Sequence, residues 1–324
     1  MFKRPIAIAT TLTLTLAVSA FVGCSSPSTD NGKLDIVCSI YPVYDWTRNI
    51  IDTNSDNVEL SYLMDSGADL HNYQPTADDM IRISDCDVFI YVGGESDKWV
   101  DGALSSARNK DMVVIDLMDI LGNDLREEEL KEGMEAPEEE EENEDEIEYD
   151  EHIWLSLKNA IKCTEAIANE LEKADSKNTD VYQNNADAYI DQLSNLDNEF
   201  SEMTASAKNK TLIFGDRFPF RYLVDDYGLD YYAAFIGCSA ESEASFETIS
   251  FLAQKCDELG TDTIFTIEGS NCNIANAIIN VTKTKDQKIA TLNSLQTVSS
   301  DPKSDLEYIS VMKSNFNTLK EALN

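Results

Sequence analysis

Histidine is almost absent from this chain: 324 residues contain two, His71 and His152. Basic residues are also scarce, with 25 lysines and arginines against 61 acids and a net charge of -36. Such a surface repels phosphates, which excludes nucleic acid and anionic lipid as partners bound by charge and favours cationic ligands. Among the seven cysteines no pair has CxxC spacing, so a zinc ribbon is excluded. HExxH, GxSxG and Gly-rich phosphate loops are all missing, and without them no zinc hydrolase, serine hydrolase or nucleotide-binding setting is recognisable. Past the first two dozen residues no run is apolar enough to span a bilayer.

What is present begins with an address. Lys3 and Arg4 precede an apolar stretch over residues 5–22, followed by Gly23-Cys24-Ser25-Ser26, the layout of an export signal. Phe21-Val22-Gly23-Cys24 resembles a bacterial lipobox, which implies that Cys24 carries lipid and becomes the first mature residue. Residues 1–23 are thus read as a lipoprotein signal peptide and 24–33, small and polar, as a tether. The expected location is extracytoplasmic, with a soluble body held on the cell membrane by a lipid anchor.

About 300 mature residues, with 42% apolar and 9% aromatic side chains over the chain, suggest two lobes rather than one core. Short apolar runs alternate with helical patterns, the signature of α/β lobes with mainly parallel sheets. Strands are expected at 34–43, 58–64, 88–93 and 112–117, then at 211–216, 230–235, 263–268 and 288–295, four for each lobe. Apolar residues at helical spacing mark helices over 155–173 and 179–207, the second free of internal Pro and Gly. Such a helix extends over about 40 Å and would join the lobes stiffly, allowing limited opening of a cleft. The division is an N-terminal α/β lobe at 34–154, a helical segment with the linking helix at 155–208, and a C-terminal α/β lobe at 209–324.

Sixteen carboxylates crowd into residues 127–151, a density that predicts a solvated loop without a core of its own. Six cysteines remain after Cys24, and their pairing is not readable from spacing. Cys38 and Cys86, within or beside apolar runs, read as small buried thiols.

Ligands in open α/β sheets collect at the carboxyl ends of strands. His71 follows the 58–64 strand by a loop, and Pro75-Thr76-Ala-Asp-Asp79 then opens a helix with capping-box spacing. Asp216 and Glu268 end two strands of the second half, and His152 precedes the helix leading into it. Two imidazoles and two carboxylates, two from each half, fall where one cleft would gather them.

From Leu34 onward the chain resembles the metal-binding receptors of zinc and manganese ABC importers, the cluster A-I solute-binding family. The resemblance rests on Gly67-Ala-Asp-Leu-His-Asn-Tyr-Gln-Pro-Thr76, on Asp150-Glu-His-Ile-Trp-Leu-Ser156, and on further segments in family order, among them Tyr227-Gly-Leu229 and Met312-Lys-Ser-Asn-Phe-Asn-Thr-Leu319. It implies a divalent cation as transported ligand, zinc first and manganese second, held by His71, His152, Asp216 and Glu268, with Cys238 and Asn293 in reserve. It also implies a membrane permease and ATPase as partners and a monomeric receptor without enzymatic activity. Two departures stand out. Arg217, which has no lone pair to give, occupies the third ligand position, and Asn293 replaces the last family carboxylate. These leave a receptor for a metal chelate, or an adhesin-like member that has lost its metal, as the alternative.

Overall fold

Strands that are apolar over their whole length can be covered on both faces, which favours parallel sheets with helices on either side. The computed structural model describes residues 32–51, 57–135, 148–239, 243–298 and 306–324, and Gly32–Asn324 form one unit. The first sheet contains β1 (Leu34–Cys38), β2 (Val58–Tyr62), β3 (Val88–Tyr91) and β4 (Val113–Asp116). They are parallel throughout, in the order β2-β1-β3-β4. Its helices are α1 (Tyr41–Ile50), α2 (Ala77–Asp85), α3 (Val100–Ser106) and α4 (Leu117–Leu121). The expected capping box is present at the start of α2, where Thr76 and Asp79 bond each other's backbone amides.

Two helices follow, α5 (Leu157–Ala174) and α6 (Thr179–Ser206), and then the second lobe. This lobe contains β5 (Thr211–Phe218), α7 (Arg221–Tyr227), β6 (Asp230–Ile236), α8 (Phe246–Leu259), β7 (Thr263–Ile267), α9 (Asn273–Val281), β8 (Lys288–Leu292) and α10 (Tyr308–Leu323). Its parallel sheet runs β6-β5-β7-β8, repeating the strand order of the first. All eight expected strands are present, shorter than the apolar runs in six cases and longer in β5 and β6. In the second sheet β7 is buried along its whole length, whereas β8 at the edge is partly exposed.

The linking helix is α6. Its 28 residues reach about 42 Å at 1.5 Å per residue. Toward its N-terminus Asn185 donates to the Ile50 carbonyl of α1 and Tyr189 to Asp45, while further along Asp197 accepts from Tyr227 of α7 and Glu199 pairs with Lys313 of α10. One apolar cluster runs through both lobes and includes Ile36, Phe89, Phe214 and Phe265; burying each phenylalanine is worth about 1.5–3 kcal/mol. A smaller cluster containing Ile213, Leu252, Ile264 and Ile278 packs on α8 and α9. Polar ties add to the apolar seam: Trp154 Nε1 donates to the Ser294 carbonyl at 2.8 Å and Tyr308 donates its hydroxyl to the Trp154 carbonyl at 2.6 Å.

The acidic segment is loop where it is described, with Glu127, Glu129, Glu132 and Glu148 exposed. Its centre, residues 136–147, lies outside the described residues, as do the signal peptide, Cys24 and most of the tether. Its flanks are pinned: Glu127 bridges to Tyr149, Glu135 donates its amide to the Ala234 carbonyl, and the Glu135 carboxylate receives the Ser245 amide ahead of α8. Carboxylates that find backbone N–H donors need not stay in water. Cys38, Cys86, Cys163, Cys238, Cys256 and Cys272 are all free thiols, the first two buried as expected. Among the described residues no helix is long and apolar enough to cross a membrane.

Candidate metal centre

The two histidines meet. His71 lies in a 3-10 turn over Leu70–Asn72, begun by Asp69, whose carboxylate accepts the His71 amide at 3.1 Å. His152 precedes a second short turn, Ile153–Leu155, and is fully buried. Their Nε2 atoms stand 3.2 Å apart.

Each ring is held from behind. His152 Nδ1 faces Asp150 Oδ1 at 2.8 Å, and the same oxygen accepts the His152 amide at 2.8 Å. His71 Nδ1 faces the Ser96 hydroxyl at 3.0 Å, with Glu151 Oε2 behind it at 3.7 Å. A proton on each Nδ1 satisfies these contacts and leaves both Nε2 lone pairs pointing at the same spot, the arrangement that metal-bound imidazoles require. Burial, then the neighbouring His152, push His71 down to about 3, so this ring stays neutral and available at ordinary pH.

Cys238 completes a group that could hold a metal ion. One ligand atom from each of His71, His152 and Cys238 lies within 4.8 Å of the others. In tetrahedral zinc, bonds to nitrogen of about 2.0–2.1 Å place neighbouring donors roughly 3.3 Å apart, close to the observed imidazole spacing. Gly237 makes room for the ring: a Cβ there would stand 2.9 Å from His152 Cε1 and 3.0 Å from the Phe218 carbonyl. Asp150, Glu151 and Asp97 are buried around the site, and Glu128 approaches the Cys238 amide at 3.4 Å. Burial drives the Glu128 and Glu151 carboxyls up, a cost that a bound cation offsets.

The structure does not bring Asp216 and Glu268 into this cluster. A register shift in β5 between Phe214 and Arg217 turns Asp216 aside, so that its carboxylate accepts the amides of Arg217 at 2.9 Å and Ile267 at 3.4 Å. Both oxygens of Glu268 are taken by Ser294, at 2.6 Å from its amide and 2.7 Å from its hydroxyl. The two acids instead line a cavity of about 370 Å³ together with Asp69, Asn72, Arg217 and Thr297. Asn293 is occupied too, its Oδ1 accepting the Leu295 amide at 2.8 Å.

Four contributors escaped the sequence reading. Asp150 and Glu151 were visible as motif residues beside His152, but not as the groups that orient the imidazoles. Ser96 carries no signal of its own. Gln296 presents its Nε2 to both His71 Nε2, at 2.9 Å, and His152 Nε2; it lies three residues beyond Asn293 and has an amide that no ligand motif includes.

Comparison with known proteins bears on the chain as a whole. The family model described as "Zinc-uptake complex component A periplasmic" matches residues 36–322. The zinc-binding lipoprotein AdcA of Streptococcus pneumoniae (strain ATCC BAA-255 / R6) is 30% identical over 315 residues, 96% of this chain and 60% of that protein; the chain therefore spans about three fifths of that relative's length. The high-affinity zinc uptake system protein ZnuA of Bacillus subtilis (strain 168) is 28% identical over 304 residues, 92% of this chain and 90% of that protein. The crystal structure of the Zn(II)-bound ZnuA-like domain of Streptococcus pneumoniae AdcA superposes with a TM-score of 0.70 and 29% identity, covering 90% of this chain and 99% of that one. With nearly its whole folded length matched, this chain belongs to the zinc-uptake complex component A family.

Proposed function

We propose that this chain is the extracytoplasmic substrate-binding component of a divalent-metal ABC importer, with zinc as cargo. The observation that carries the reading is the pair of buried imidazoles, Nε2 to Nε2 at 3.2 Å, each fixed through Nδ1 and joined by the Cys238 thiol. His71, His152 and Cys238 are the proposed ligands, with Asp150, Ser96 and Glu151 orienting the rings. Thiolate is a soft donor that suits zinc better than manganese, which moves manganese further from first place than carboxylate ligands would. Burial holds the Cys238 thiol well above its ordinary range, so metal entry must displace its proton.

The receptor performs no chemistry on the ion. It captures the cation between the lobes, strips its water and offers the loaded form to a membrane permease driven by an ATPase, where different docking of loaded and empty forms gives direction. The division at residues 34–154, 155–208 and 209–324, a lipid on Cys24 and a monomeric state complete the proposal. The similarity to lipoproteins of zinc uptake supports the anchor.

The test is metal content. Purified protein, stripped with chelator and reloaded, should retain one zinc per chain through gel filtration. His71→Ala, His152→Ala and Cys238→Ala should each lose it, while Asp216→Ala retains it. Failure of the wild type to hold zinc, or retention undiminished in His71→Ala, would overturn the assignment.

A further inference from the structure

The second sheet runs β6-β5-β7-β8, so the chain leaves β5 toward β6 on one side and returns to β7 on the other. In open parallel sheets, the crevice outside the carboxyl ends of two strands where the order reverses in this way is where ligands gather. β5 and β7 pair through Phe214 and Phe265. Just beyond that pair lies the cavity of about 370 Å³, with Gly215, Phe235 and Ile267 buried on its inner side and Asn72 and Asn271 exposed at its rim. Gly215 lets α9 close against β5, since a Cβ there would stand 2.7 Å from Ala275 Cα, and this brings Ile274 into the cavity wall. His71, His152 and Cys238 are not among the lining residues.

Four charged groups line it: Asp69, Asp216, Arg217 and Glu268. Arg217 is paired with Asp69 at 2.8 Å, so those two charges cancel. The partners of the other two acids are neutral: the amides of Arg217 and Ile267 for Asp216, the amide and hydroxyl of Ser294 for Glu268. A carboxylate has about four lone-pair positions, so each acid has room for further donors. Two negative charges thus line a partly buried cavity in which the one lining cation is already committed.

A bare metal ion does not suit these acids. Coordination needs several donor atoms around one point, and among the described residues the group that meets this is His71, His152 and Cys238, without either acid. The cavity is also far larger than the roughly 30 Å³ that a water molecule occupies. Acids on the ends of two strands, beside an apolar wall of Phe235, Ile267 and Ile274, suit a short carbon chain carrying ammonium groups. Each ammonium brings three donors and no acceptor, the complement of a carboxylate, whereas an anion of the same size would meet like charge.

We infer that this cavity is a second binding site, for a small organic amine such as a diamine or a basic amino acid. Asp216 and Glu268 receive its ammonium groups, and Phe235, Ile267 and Ile274 cover its carbon chain. The site goes beyond metal capture and stands apart from it, although Asp69 and Asn72 in its wall flank the His71 turn. The amine therefore lies next to that turn, either as a free ligand or as the amine end of a chelate that brings the ion in.

Calorimetric titration of the full-length protein, metal-free and zinc-loaded, with 1,4-diaminobutane and with L-lysine tests the site, with succinate as the dianion of matching length. One equivalent of amine should bind, more weakly as salt rises, and succinate should not. Asp216→Asn and Glu268→Gln should each weaken amine binding about 10–100-fold. Ile274→Trp, which keeps both acids and fills the cavity, should abolish it, with an unchanged circular dichroism spectrum showing that each variant is folded. Equal binding to both metal states identifies a free amine as the ligand; binding that requires zinc identifies a chelate. Failure of both amines to bind the wild type in either state, succinate binding as tightly as the amines, or amine affinity unchanged in Asp216→Asn and Ile274→Trp would overturn the site. Zinc binding without amine binding leaves the receptor reading standing, and amine binding without zinc binding leaves this one.

Discussion

Arg217 reaches across the interlobe cleft to Asp69, Nη2 to Oδ2 at 2.8 Å, with both side chains largely buried. Asp69 also accepts the amide of His71, so one carboxylate joins the His71 turn of the first lobe to β5 of the second. The residue that cannot bind metal thus fastens the turn that carries His71. Its partner Asp69 is held below the usual carboxylate range by Arg217, against the opposing effect of burial.

Removing this fastening should loosen the His71 turn without emptying the site. Arg217→Ala is expected to cost on the order of 1.5–3 kcal/mol of stability, as for a hydrogen bond to a charged group, and to speed zinc release into excess chelator. Stopped-flow release from the wild type and the variant measures this directly; equal rates would show that the pair does not restrain the turn.

Gly237→Ala should damage the site from a position that binds nothing. The added methyl would meet His152 Cε1 at 2.9 Å and the Phe218 carbonyl at 3.0 Å, so the imidazole must shift. A shift of this kind in a metal ligand's support is expected to weaken zinc binding by roughly 10–100-fold, with the circular dichroism spectrum unchanged. Wild-type affinity in this variant would mean the ring adapts freely.

Two buried groups impose opposite pH slopes on the metal-free protein. His71 is lowered to about 3, first by burial and then by His152, so between about 6.5 and 3 the unfolded chain binds a proton here that the folded chain refuses, and stability falls as pH falls. Asp97 is raised from 3.8 to about 7, chiefly by burial. Across that interval the folded chain keeps a proton that the unfolded chain has released, and stability falls as pH rises. Urea unfolding at several pH values should show His71→Ala gaining on the wild type toward acid and Asp97→Asn gaining toward neutral pH. A stability difference that does not vary with pH, for either variant, would contradict the assigned cause.

Tyr308→Phe tests the seam between the lobes. The hydroxyl lost is buried and donates to the Trp154 carbonyl at 2.6 Å, so the variant leaves a buried acceptor without that donor, at about 1–3 kcal/mol. Chemical denaturation should show one transition at lower denaturant; separate transitions for the two lobes would mean that the seam, rather than α6, couples them.

Much of this architecture was legible beforehand because its signals are local. Runs such as Val88-Phe-Ile-Tyr91 and Thr263-Ile-Phe-Thr-Ile267 are short and rich in β-branched and aromatic residues, which favours covered strands over helix, and the Thr76/Asp79 cap is readable from spacing alone. The histidines were legible because there are only two and both sit in motifs. The rest of the cluster was legible only in part: Cys238 stood in reserve behind Asp216 and Glu268, because where such side chains point depends on events distant in sequence. A register shift in β5 turns Asp216 away, a hydroxyl 26 residues downstream captures Glu268, and a left-handed leucine delivers Gln296. The contacts along the flanks of the acidic segment were not legible for the same reason: Glu135 and Glu128 accept amides of Ser245 and Cys238, over a hundred residues away.

The long helix α6 has a consequence for how cargo leaves. It is fixed to α1 at one end and to α7 and α10 further along, with a continuous apolar seam beside it. A body braced this way resists a wide, clam-like opening of its two halves. The Arg217–Asp69 pair adds a short strap beside that brace, tying the three-residue turn that carries His71 to the second lobe.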